Sequence, residues 1–126
     1  MTTPARTLTQ AAELVRAFNH DTISTGADWQ FPPHAYDAIG NLAYLARMLP
    51  QAIVQTLQPV RTTHEQGRVT IDGGGDPAKA VEHLRTAVAH AAEAAQLLAD
   101  ALDHAHAAVS PMGLDTRGLP GFGDEG

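Results

Sequence analysis

Seven histidines are the residues most able to do chemistry in this chain. A metal site needs several imidazoles or carboxylates converging on one ion, with each bond only about 2 Å long. His83 and His90 share a helical face, but seven residues separate them by roughly 10.5 Å along the axis. One ion cannot join them. His104 and His106 point to different faces of the same helix. Asp100 and His104 have the spacing of a surface helix pair, and two ligands do not make a site. "HEQGR" at 64–68 lacks the second histidine of the zinc-protease helix motif. No metal and no cofactor is expected.

Other chemistry fares no better. "GGGDPAK" at 73–79 lacks the spaced glycines and the Gly-Lys-Ser/Thr ending of a phosphate loop, so it reads as a turn and a helix cap. Ser24 and Ser110 sit beside turn and stop signals, with no histidine and acid at a nucleophile's motif spacing. Asp100 and Asp103 belong to a solvated helical face. No catalytic residue emerges, and the expectation is a protein that is not an enzyme.

The chain has 126 residues, 8 Lys+Arg against 14 Asp+Glu, and a formal net charge of −6. An acidic surface is repelled by phosphate backbones, and the seven arginines form no stripe, so nucleic acid is not an expected partner. The chain has no cysteine, which removes disulfides, thiolate nucleophiles and thiolate-bound metals. It contains no apolar run of membrane-spanning length, and its first residues carry no apolar export core. These features predict a cytoplasmic protein that does not associate with membranes.

Three helices are expected to carry the architecture. Leu8, Ala11, Val15 and Phe18 recur at helical spacing over 7–19, with Thr7 and Gln10 patterned as a capping box. A stripe of Ala35, Ile39, Leu42, Ala46, Leu49, Ile53, Thr56 and Val60 predicts a helix over about 33–66. Pro50 and Pro59 are expected to kink it rather than break it, because the stripe keeps its phase. Gly67 reads as its C-terminal cap. Asp76-Pro77 opens a last helix that Ser110-Pro111 closes near Val109. "RVTI" at 68–71 reads as an extended connector, and residues 111–126 as a flexible tail.

In the last helix Val81, Val88, Ala95, Leu102 and Val109 mark one column of a 3.5-residue stripe, and Leu84, Ala91, Leu98 and Ala105 mark the other. Ala80, Ala87, Ala94, Ala101 and Ala108 form a flanking column with no polar interruption. The resulting apolar surface is wider than one hairpin can cover. The expectation is an all-α fold with 1–110 as a single helical domain. It is a long antiparallel hairpin with a short N-terminal helix, a three-helix bundle that dimerisation could complete.

Five of the six aromatic residues, Phe18, Trp29, Phe31, Tyr36 and Tyr44, fall between 18 and 44. Trp and Tyr are favoured interface anchors. Trp29 and Phe31 are expected either to cap the hairpin or to meet a partner. The candidate partner-binding residues are Trp29, Phe31, Tyr36, Tyr44, Ala87, Ala94 and Ala101.

"HAYDAIGNLAYLARMLPQAIVQTLQPV", followed by an alanine-rich acidic helix, resembles small alanine-rich helical proteins of actinobacteria and their mobile elements. The resemblance implies a helical architecture and no activity. The expected function is that of a non-enzymatic interaction protein, acting through self-association and helix-face packing, as a homo-oligomer or with a protein partner. The alternative is a small acidic inhibitor of the antitoxin or immunity type.

Overall fold

The structure is a computed structural model that describes residues 3–121. It is all-α, with helices α1 (Pro4–Asp21), α2 (Pro32–Gln55), α3 (Gln58–Glu65) and α4 (Pro77–Val109). Among the described residues there is no strand, only an isolated antiparallel bridge between Gly26 and Trp29. The chain divides into two compact units. One holds the residues up to Ala35 together with those from Met112; the other is Tyr36–Pro111.

In the first unit, α1 begins three residues earlier than its apolar spacing suggests. Thr3 is the cap: its hydroxyl accepts the Arg6 N–H at 3.2 Å, and Pro4 follows as a preset first residue. The proposed Thr7–Gln10 capping box is therefore not the start, and the Thr7 hydroxyl instead donates to the Thr3 carbonyl. No residue of α1 is buried. Residues 111–121, within the expected tail, hold no helix. The Arg117 guanidinium meets Asp115 there at 2.7 Å and holds that carboxyl below the usual carboxylate range, helped by the Arg117 backbone N–H. Residues 122–126, the rest of the expected tail, lie outside the described residues.

The second unit is the antiparallel hairpin. α2 runs through Pro50 without interruption. The stretch to Gln66 is nevertheless broken, not merely kinked, and the break falls at Thr56–Leu57 ahead of Pro59. Pro59 has no N–H and disfavours helical backbone before it, so it takes a first-turn position in α3. The break is one tightened turn: Thr56 and Leu57 donate to the carbonyls of Ile53 and Val54, each at 3.1 Å. So short an interruption lets the apolar stripe resume at Val60, which is half-buried.

α3 ends in a Schellman motif. Gly67 (φ 69°) donates to the His64 carbonyl at 2.9 Å and Arg68 to the Thr63 carbonyl at 3.1 Å. An extended connector then leads to Gly73, Gly74 and Gly75, all with positive φ, a backbone that only glycine adopts cheaply. Asp76 caps α4 by accepting the Ala78 N–H at 3.0 Å.

α3 packs against α4, and α2 meets α4 through Arg47–Asp103 and Tyr36–His106. The buried residues are Ala43 and Ala46 on α2, and Val81, Val88, Ala95, Ala99 and Val109 on α4. This differs from the expected pattern in one respect. In the expected column Val81, Val88, Ala95 and Val109 are buried and Leu102 is only half-buried, while the second column runs through Ala99, not through Leu98, which is 48% exposed. On α2, likewise, Ala43 is buried and Leu42 is 39% exposed. The physical reason is size. Alanine fills a shallow site that leucine would overfill, and Leu42 and Leu98 stand beside the buried alanines rather than in their place.

The far end of the hairpin shows how tight this seam is. The His106 ring stacks on Tyr36, with centroids 4.2 Å apart at 25°. A Cβ added at Gly40 would stand 3.0 Å from His106 Nε2. One turn further along, Arg47 donates to Asp103 at 2.7 Å across the helices. Gly40 is thus the position that admits the imidazole. Gly40→Val is expected to lower stability by about 1–3 kcal/mol through overpacking. In a His106→Ala background most of that loss disappears, which a thermal-denaturation double-mutant cycle measures.

Candidate functional site

The candidate residues fall into three places. The first lies wholly within the N-terminal unit. After α1, Gly26 and Trp29 exchange backbone hydrogen bonds at 3.4 and 3.1 Å across a two-residue turn. That turn brings Trp29 back onto Phe18, ring edge to ring face, with centroids 5.4 Å apart at 82°. Trp29 is half-buried. Edge-to-face geometry suits the ring quadrupoles and adds to the apolar burial.

Phe31 and His34 follow. Their rings stack at 5.7 Å and 28°. His34 Nδ1 accepts two backbone N–H groups, from Gln30 and from Phe31, each at 3.2 Å. His34 is the third residue of α2 and reaches back to the amides just ahead of the helix, the role that Glu or Gln takes in a capping box. Acceptance at Nδ1 places the proton of the neutral ring on Nε2. Trp29, Gln30, Phe31, Pro32, His34 and Ala35 line an open, mostly apolar hollow of about 320 Å³. It holds no acid and no nucleophile. Its one titratable ring is committed to holding the chain.

The second place is Tyr36, whose ring is taken by His106 in the hairpin unit. The third is the exposed part of the hairpin. Tyr44 is 61% exposed. Ala87, Ala94 and Ala101 are exposed as well, so the alanine column lies outside the seam. The structure therefore brings Trp29 and Phe31 into one unit and leaves Tyr44 and the alanines on open helix surface.

Two contributors, His34 and Gly40, were not singled out by sequence. Phe18 was read in the α1 stripe and among the clustered aromatics, but it and His34 become partners only once the connector turns back. Gly40 had a visible signal, a lone glycine within a helical stretch, which often marks a close approach. Among the described residues, no three His, Asp or Glu side chains converge as metal ligands, and no polar or charged residue is buried.

Trp29 is the sole tryptophan, so its emission reports on this unit alone. Phe18→Ala is expected to shift that emission to the red and to increase its quenching by acrylamide. An unchanged spectrum would contradict the packing described here.

No helix among the described residues is long and apolar enough to cross a membrane. Comparison with known protein families, with curated proteins and with solved structures finds no match for the chain.

Proposed function

We propose that this chain is a non-enzymatic helical interaction protein of the cytoplasm that works by self-association and helix-face packing. One observation carries the reading: many large apolar side chains stand exposed. Among the described residues every buried one is an alanine or a valine. Leu14 is 72%, Leu97 69%, Tyr44 61% and Met48 51% exposed, while others such as Ile39, Ile53 and Leu102 are half-buried.

Single exposed apolar residues are ordinary on soluble proteins, and contiguous ones mark contact surfaces. α1 sharpens the point. It has 18 residues, carries Leu8, Val15 and Phe18 on one side, and buries none of its side chains. Isolated helices of that length are marginal in water, and packing of an amphipathic face is what usually stabilises them.

Sedimentation velocity at tens of micromolar is the direct test. The expected result is a dimer or larger species that dissociates on dilution. A monomer throughout that range would remove the reading.

A further inference from the structure

The turn that carries Trp29 and Phe31 is fastened to α2 at one side chain. Pro32 and Pro33 leave the first two positions of α2 without N–H groups. His34, the third residue, is tied to Phe31 in three ways. Its own N–H donates to the Phe31 carbonyl at 2.9 Å, its Nδ1 accepts the Phe31 N–H at 3.2 Å, and the two rings stack at 5.7 Å. The same Nδ1 accepts the Gln30 N–H at 3.2 Å. Only the neutral imidazole offers that acceptor, because the imidazolium donates from both nitrogens. Once protonated, Nδ1 would point a proton at two amide protons. The charge would also stand at the positive end of the α2 dipole, where a cation is disfavoured.

We propose that His34 is a pH-sensitive latch on the aromatic turn. The neutral ring holds the Gln30 and Phe31 amides at the start of α2. The protonated ring lets both go and frees the segment Trp29–Phe31. The sign follows from proton linkage. The closed turn favours the neutral ring, so the open turn binds more protons and the closed form gains stability as pH rises. That stability is lost as pH falls through the range of about 8 to 5, where histidine takes up its proton and most carboxylates stay ionised. Trp29 and Phe31, two of the candidate contact residues, are then released from their half-buried positions. The latch works within one chain and does not depend on self-association.

The charged groups of the neighbouring segments do not oppose this. The end of α1 supplies His20 and Asp21, the connector Asp28, the next turn of α2 Asp37, and the segment after α4 Asp115 and Arg117. His20 lies 3.6 Å from Asp21, and Arg117 is 2.7 Å from Asp115. Among the described residues no acid forms an ion pair with His34 that would hold its charged form in place. The rest of the turn is held by the Gly26–Trp29 backbone bonds and by the Gln30 side chain, which donates to the Ala27 carbonyl at 3.5 Å. His34 is the one side chain that links the turn to α2 and also titrates near neutrality.

The test follows the Trp29 emission maximum and its quenching by acrylamide in the full chain from pH 8 to pH 5. Circular dichroism monitors helicity, and the amide resonances of Gln30 and Phe31 are recorded in parallel. The wavelength is read rather than the intensity, because an imidazolium near an indole can quench without any movement. The wild-type chain is expected to shift to the red and become more quenchable in one transition, with both amides moving at the same midpoint and helicity retained. His34→Gln, which accepts through its amide oxygen and does not titrate, abolishes the transition and keeps the pH 8 spectrum. His34→Ala shows the acid spectrum at every pH. His20→Gln, at the other histidine of this unit, leaves the transition intact. The proposal is overturned by an emission maximum that does not change with pH, by a transition that survives in His34→Gln or vanishes in His20→Gln, or by one that coincides with loss of helicity, which is general acid unfolding.

Discussion

The close approach of α2 to α4 is the constraint on which the hairpin depends. Ala43 and Ala46 are 2% and 1% exposed, and Ala95 and Ala99 are 5% and 0% exposed. Among the described residues no large side chain is fully buried. Alanine needs little depth, so a seam made mostly of methyl groups is shallow. Leu102 and Leu49 are half-buried beside it, and Leu42, Leu45 and Leu98 stand exposed. The same economy of volume requires Gly40 opposite His106, since that end of the seam has to admit a ring.

Burying methyl groups stabilises little. The gain is about 25 cal/mol for each Å² of apolar surface removed from water, and alanine offers little surface. Caps and loop closures contribute the rest within one chain: Thr3, His34 and Asp76 at helix starts, the Schellman turn at Gly67, and the Arg47–Asp103 pair. Exposed ion pairs of that kind are worth at most about 1 kcal/mol.

Much of the architecture was legible in the sequence because its punctuation is strong. Asp76-Pro77 and Ser110-Pro111 bound α4 where such pairs should, and the double proline at 32–33 opens α2. The rest was hidden for physical reasons. Alanines stand on nearly every side of α4, so the pattern alone does not separate the column of Ala92 and Ala99 from that of Ala91 and Leu98. Only the closeness of the partner helix decides between them. The aromatic cluster was half legible. Trp29 and Phe31 stand out by type, but their partners Phe18 and His34 depend on a backbone turn at Gly26–Trp29 that has no strong signature. An imidazole acting as a helix-entry acceptor is also rare enough to escape a search for Ser, Thr and Asp.

The glycine turn gives the hairpin a direction of assembly. Contacts between α3 and the start of α4 close a short loop, whereas Arg47 and Asp103 are 56 residues apart in sequence. Loop-closure entropy grows with that separation, so pairing is cheapest beside Gly73–Gly75 and costliest at the far end. The hairpin is in this sense a zipper with its slider at the glycines. Its open end, where His106 rests on Tyr36, is the part that loop-closure entropy favours least. The Arg47–Asp103 pair and the ring stack act there as a clasp on the end with the least help from the chain's own connectivity.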